Sequence, residues 1–306
     1  MPSSSDSATP IVLEPTSSPT TRTSQMLPRA ARARTVRATL RAMLCEYTFV
    51  PRDAGDAGRR ELEDWAGALL ARLRNNGQLW GRAVVGWVDG TLRATFHVPT
   101  ADALDDAHAS RGVAGTAKQV RALCAEPPAW RIVGDETDTD AGDATGAPAL
   151  VLKADVFRET SPVREGRAGT PVPLFRLPIG WDVRENLVVW MRRAQLHEEL
   201  WIQSGRLESA AYRELSEPDS PLATEGRELA RAVEDVTGIA TYYFLRHFWG
   251  RRVEDARDVC PACRAPWATE SLGSTPAGID GFTYRCDPCR LVSEAATATR
   301  AEPADA

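Results

Sequence analysis

The sequence predicts an α+β protein, on three observations. An amphipathic helical pattern is followed at once by a hairpin pattern, a long middle stretch carries apolar residues at helical spacing, and two C-x-x-C pairs lie near the C-terminus. The chain of 306 residues is 43% hydrophobic and 26% charged, enough for two domains or one large one. No apolar run is long enough for a membrane helix, and "MPSSSDSATPIVLEPTSSPTTRTSQ" lacks the basic-then-apolar order of a secretory signal. No membrane association is expected, and a reducing cytoplasm is the expected compartment. Paired cysteines are there more often metal ligands than disulfides.

Residues 1–34 are rich in Ser, Thr and Pro and should form a disordered tail, since they cannot bury enough apolar surface to offset ordering entropy. The basic stretch Arg29–Arg41 at its end reads as a solvated edge or as a contact with nucleic acid or membrane. Residues 35–134 should form an N-terminal α/β sandwich. Val36–Val50 alternates like a strand but also suits a helix. Leu62, Trp65, Ala66, Leu69, Leu70 and Leu73 mark one helix face, with Gly77 as its stop. "WGRAVVGWVDGTLRATFHV" reads as two strands joined at Asp89-Gly90, a pair suited to the positive φ angles of a tight turn. A helix around Ala114–Ala125 and a strand at Trp130–Val133 complete the set.

The acidic, Gly-containing residues 135–148 should be a flexible linker. Asp138, Asp140 and Asp143 offer oxygen ligands, but the glutamate that closes a calcium loop is missing. Residues 149–257 then hold a strand ("ALVLKADVF") and an irregular or edge segment ("SPVREGRAGTPVPLFRLP"). A helix follows, with Asp182 as N-cap and Leu187, Trp190, Met191, Ala194 and Trp201 inward. A second helix starts at Ser220-Pro221, with Leu229, Val233 and Val236 inward and Gly238 as its end. "IATYYFLRHFWG" reads as a strand leading to the cysteines.

Residues 258–294 carry Cys260-x2-Cys263 and Cys286-x2-Cys289, with 22 residues between the pairs. A C-x-x-C turn curls two sulfurs toward one ion, and two such turns supply four thiolates at tetrahedral angles. The spacing points to a zinc ribbon. About 35 residues cannot bury a self-sufficient core, so the roughly 10–16 kcal/mol of apparent zinc binding becomes folding free energy. Iron in the same thiolates is the rival. Four thiolates leave no position for water or substrate, so the ion reads as structural. Arg264 and Arg290 follow the second cysteine of each pair, where glycine is common. Their charge can screen the zinc-thiolate centre, and their backbone conformation is left open. Residues 295–306 should be a disordered tail.

Six arginines face six acids between Arg251 and Arg290, and the whole chain has a net charge of −5, so bulk attraction for phosphate is absent. A local patch of Arg251, Arg252, Arg257 and Arg285 with Trp249 and Tyr284 could still contact nucleic acid by charge and stacking. The other reading is a protein-interaction or assembly module in which the ribbon is purely structural. No enzyme is indicated. His197-Glu198 opens a near miss to the zinc-protease helix, but Trp201 stands where its second histidine should be. Glycine-rich phosphate loops and a nucleophile elbow are absent from the sequence. Cys45 and Cys124 read as small buried hydrophobes.

With "TGIATYYFLRHFWG", "CPAC…W" and "FTYRCDPCRLVS", the last 145 residues or so resemble an uncharacterised bacterial family described as zinc-ribbon-containing and nucleic-acid-binding. The resemblance implies that Cys260, Cys263, Cys286 and Cys289 are the ribbon ligands. Two departures stand out. Family members often carry a further C-x-x-C before the "PVPL" run, where this chain has Glu165 and Ala168. Glycines after the first cysteine pair are replaced by Arg264 and Ala265.

Overall fold

The computed structural model describes residues 40–246, 259–267 and 282–294. The expected tails at 1–34 and 295–306 lie outside them, as does Arg29–Arg37. The α+β class is as expected.

The N-terminal half is a four-stranded sheet with two helices on one face. Its elements are β1 (Leu40–Phe49), α1 (Asp56–Asn75), β2 (Trp80–Val88), β3 (Thr91–Val98), α2 (Arg111–Leu123) and β4 (Ala129–Ala141). The sheet order β2-β3-β1-β4, with every pair antiparallel, is the ferredoxin-like βαββαβ arrangement. Period-two alternation sends Leu92, Ala94, Phe96 and Val98 of β3 inward, where they meet Leu62, Ala66, Leu69, Leu70 and Leu73 of α1. Asp89 and Gly90, at φ 50° and 78°, make the two-residue turn between β2 and β3.

The C-terminal half is a mixed five-stranded sheet with three helices. It contains β5 (Leu150–Leu152), β6 (Val163–Glu165), α3 (Trp181–Gln203), α4 (Glu208–Ser216), α5 (Pro221–Thr237), β7 (Thr241–Phe244), β8 (Tyr284–Cys286) and β9 (Leu291–Ser293). The order is β6-β5-β7-β9-β8, with β5, β7 and β9 parallel and the two edge strands antiparallel to their neighbours. Both faces are covered, as central parallel strands require. Leu150, Leu152, Tyr243 and Leu291 join the helix side, while Val151, Tyr242, Phe244 and Val292 form a smaller cluster on the other. Trp190 anchors the helix side; its Nε1 donates to Leu222 O at 3.1 Å and its ring meets Tyr243 edge-on at 5.8 Å. The two halves lock at Gly77, where a Cβ would lie 2.6 Å from Leu174 Cβ, and at Arg184, whose Nη1 donates to Asn76 Oδ1 at 2.7 Å.

The segment before Val50 is strand β1, as its alternation suggests and against the helical alternative. Several other local expectations need correction. Residues 135–141 of the expected flexible linker belong to β4, with Asp135 opposite Met43 and Asp140 opposite Arg41. An acidic run suits this place because β4 is an edge strand, and charge there discourages further pairing. Gly180, not Asp182, precedes α3. Trp65 and Val236 fit their helical periods but are exposed, at 38% and 52%. Helix α4 carried no distinct signal in the sequence. Ser220 does cap α5, accepting from Ala223 N at 3.1 Å, and Gly238 closes it at φ 68°.

Candidate metal centre

Two short turns build the centre. In the first, Cys260 N donates to Ala265 O at 2.7 Å and Arg264 N donates back to Cys260 O at 2.8 Å, with Val259 bridged to Pro266. In the second, Cys286 ends β8 and Cys289 precedes β9, so the hairpin itself delivers both sulfurs. Arg264 and Arg290 take φ values of 66° and 51°, which settles the conformation the sequence left open. Both are held in the left-handed region, where a residue with a Cβ is strained.

The turns bring the Sγ atoms of Cys260, Cys263, Cys286 and Cys289 within 4.8 Å of one another. Four sulfurs at about 2.3 Å from a tetrahedral ion would lie about 3.8 Å apart. The Cys263–Cys286 separation is 3.5 Å, close to that value and far beyond a disulfide's roughly 2.05 Å. All six cysteines are free thiols. The four sulfurs therefore fit a metal ion. The Ala265 N–H pulls Cys263 down to about 7, and burial pushes Cys289 up to about 11. A bound divalent cation would deprotonate both.

The centre is tied into the sheet. Trp267, fully buried, stacks on Tyr284 with centroids 5.1 Å apart, and Arg285 N donates to Trp267 O at 2.6 Å. Arg290 reaches α5 with a two-pronged pair, Nε to Glu234 Oε2 at 2.9 Å and Nη2 to Glu234 Oε1 at 2.7 Å. The Arg290 guanidinium beside it holds the Glu234 carboxyl below its ordinary range. Tyr243 N donates to Arg290 O at 2.8 Å, which fixes β9 against β7.

Of the residues proposed for nucleic acid, Trp249, Arg251, Arg252 and Arg257 lie outside the described residues. Tyr284 is buried beside Trp267. Arg285 is paired with Asp287 at 2.5 and 2.7 Å and lies over the Tyr242 ring at 5.4 Å. Sequence reasoning did not place Glu234 against Arg290 or Asp287 against Arg285. Their only signal was acidity at helical or turn positions, shared by many solvent-facing acids. His197 and Glu198 do not form a metal site with other ligands among the described residues; Glu198 pairs with Arg246 instead. Cys45 and Cys124 are buried, as expected, and burial raises both thiols, Cys45 to about 11.

Three family models match the chain in succession: Domain of unknown function (DUF8589) over residues 45–134, Domain of unknown function (DUF2310) over 145–246 and Domain of unknown function (DUF8594) over 250–299. A solved structure, "Structure of Rv0793 from Mycobacterium tuberculosis", aligns at 20% identity with a TM-score of 0.26, over 32% of this chain and 99% of its own. An uncharacterised protein of Haemophilus influenzae is 29% identical over 234 residues, which is 74% of this chain and 88% of that protein. A second uncharacterised Haemophilus influenzae protein is 33% identical over 167 residues, 54% of this chain and 80% of that protein. At that identity and coverage, the chain belongs to the bacterial family of these uncharacterised Haemophilus proteins.

Proposed function

We propose that the chain is a non-enzymatic protein-interaction or assembly module in which a structural zinc ion closes the C-terminal sheet. The observation that carries the structural role is the placement of β9 between β7 and β8, with all four sulfurs at the end of that hairpin. An ion there stabilises strand pairing directly, and a closed set of four thiolates leaves no position for substrate. Sulfur donors at this spacing also accept iron. Zinc is the better reading because two C-x-x-C pairs at this spacing are the usual four-sulfur zinc pattern.

The interaction role rests on α3. Val189, Leu196 and Leu200 lie at i, i+7 and i+11 and are 37%, 59% and 39% exposed, a second apolar stripe opposite the buried one. Nucleic-acid binding is the other reading. It depends on Trp249, Arg251, Arg252 and Arg257, and it loses support from Tyr284, which is buried, and from Arg285, which is paired with Asp287.

Three measurements on the purified chain test the proposal. Emission spectroscopy should find one zinc per chain and no visible iron absorbance. A gel-shift salt series should show no retardation of DNA or RNA even at low salt. Sedimentation should show self-association that Leu196→Glu abolishes. Tight, salt-dependent nucleic-acid binding, or a monomer unaffected by Leu196→Glu, would overturn the interaction reading.

A further inference from the structure

A cleft far from the cysteines has the features of a ligand site. It lies between the N-terminal sheet and the loop after β5, has a volume of about 290 Å³, and is lined by Trp80, His97, Phe157, Arg158, Glu159 and Thr160, among others. Ligand pockets start at roughly that size, so its occupant must be a small molecule. An inner recess of about 10 Å³ shares Trp80, Glu159 and Thr160 with the cleft and adds Arg74. That is room for about one oxygen-sized group.

Two residues that line both the cleft and the recess each carry a buried polar atom without a partner among the described residues. Trp80 is 4% exposed and Thr160 is 9% exposed, and neither Trp80 Nε1 nor Thr160 Oγ1 has a hydrogen bond. Buried polar groups are nearly always paired, so two orphans in one place need an explanation. The backbone is built around them. The register of β2 on β3 slips between Trp80↔His97 and Val84↔Thr95, with Gly81 at φ 70°. Bulges of this kind re-aim side chains and are common beside functional sites. Gly81 N donates to Glu159 O at 2.8 Å, which fixes the loop over the cleft.

Glu159 is the one carboxylate among the described lining residues, and it is engaged by Arg74 and by Arg82, whose Nε lies 3.5 Å from Glu159 Oε1, so its charge is offset. Burial lowers Arg74, Glu159 opposes that shift, and Arg192 and Arg82 add to it. Phe157, 86% exposed at the mouth, offers a ring face to the body of a ligand.

We propose that this cleft binds a small organic carboxylate, with one carboxylate oxygen in the recess accepting from Trp80 Nε1–H and Thr160 Oγ–H. The ligand's apolar body lies against Phe157. This site is independent of the metal centre and of the α3 stripe.

The test uses the full zinc-loaded chain, labelled with ¹⁵N, and reads the Trp80 indole N–H resonance, assigned by its loss in Trp80→Phe. Sodium benzoate is the probe and benzyl alcohol its uncharged control. Benzoate should move the Trp80 resonance saturably and benzyl alcohol should not. Thr160→Val should weaken benzoate binding about tenfold, as loss of one hydrogen bond to a charged group implies. Thr160→Val should also melt no lower than wild type without ligand, because it removes an unpaired buried hydroxyl. A Trp80 resonance unmoved by tens of millimolar benzoate overturns the proposal. So does benzoate binding equal in Thr160→Val, or a lowered melting temperature in that variant.

Discussion

Replacing Arg264 by glycine should stabilise the protein, although it removes a cation beside the metal centre. Arg264 is exposed and sits at φ 66°, and its N–H bond to Cys260 O at 2.8 Å would survive the change. A left-handed conformation costs a residue with a Cβ about 1–2 kcal/mol. Glycine gives back about 0.4–1 kcal/mol through the greater freedom of the unfolded chain. Loss of an exposed charge near the thiolates costs a few tenths more. The net gain is about 0.5 kcal/mol. With a urea slope toward the upper end of about 1–3 kcal/mol/M, the unfolding midpoint should rise by about 0.2 M.

Arg290 supplies the contrast. It shares the backbone conformation at φ 51°, but its guanidinium holds Glu234 through two bonds at 2.9 and 2.7 Å. Arg290→Gly should therefore be near neutral, relief of strain offsetting a half-exposed pair worth about 1 kcal/mol. Arg264→Ala keeps the strain and loses the charge, so it should fall slightly below wild type. All variants must be unfolded at one fixed excess of zinc, because metal binding to the folded state shifts apparent stability. If Arg264→Gly is no more stable than Arg264→Ala, strain at this turn is not what the geometry says it is.

Other expected outcomes are as follows. Gly226→Ala should lower stability by about 2–3 kcal/mol in thermal melts, although alanine is the better helix former, because the new Cβ would lie 2.3 Å from Tyr243 Cε2 and 2.8 Å from Trp190 Nε1. Thiol titration at neutral pH should find none of the six cysteines reactive in the zinc-loaded protein, four after chelation and all six only after unfolding, since Cys45 and Cys124 are 0% and 2% exposed with thiols raised by burial. The Glu234–Arg290 pair should show in acid. Glu234 titrates below its unfolded value, so its contribution is full above the ordinary carboxylate range and is lost as pH falls through its folded pKa. The stability difference between wild type and Glu234→Gln should be constant near neutrality and shrink below about pH 4.5, the unfolded glutamate value. A difference that grows in acid would contradict the assigned direction.

Local signals in the sequence carried much of the fold. Helical period found the buried faces of α1, α3 and α5, the Asp89-Gly90 pair found the hairpin, and Ser220-Pro221 with Gly238 bounded α5. What local pattern cannot contain is pairing between distant strands. Nothing in "ALVLKADVF" or "FTYRCDPCRLVS" shows that β5 and β9 flank β7 in one sheet, because parallel pairing joins strands far apart in sequence and leaves no local signature. The same blindness misplaced the acidic run after Gly134, whose strand character comes from lying against β1 at a sheet edge. At the metal centre the ligands were legible because spacing alone brings sulfurs together. Their surroundings were not, since Glu234 reaches Arg290 across 56 residues of chain.

One turn in the far half of the sheet repeats the geometry of the first cysteine turn without sulfur. At Glu165 the backbone repeats the first cysteine turn bond for bond. Glu165 N donates to Thr170 O at 2.9 Å and Gly169 N to Glu165 O at 2.9 Å, with Gly169 at φ 66° and Arg164 bridged to Pro171. In place of a sulfur, Glu165 Oε2 accepts from Arg167 N at 3.0 Å and from Ala168 N at 2.7 Å. A buried carboxylate thus satisfies the turn from within, and β6 continues directly into a sheet edge of ordinary strands. The turns at Cys260 and Cys286 have no such carboxylate. Their sulfurs are weak acceptors, so although β8 and β9 are three residues each, like β5 and β6 at the other edge, their turns lack the internal carboxylate acceptor that Glu165 supplies. If the four thiolates hold a structural ion as proposed, chelation should melt the β8–β9 hairpin and leave the turn at Glu165 closed.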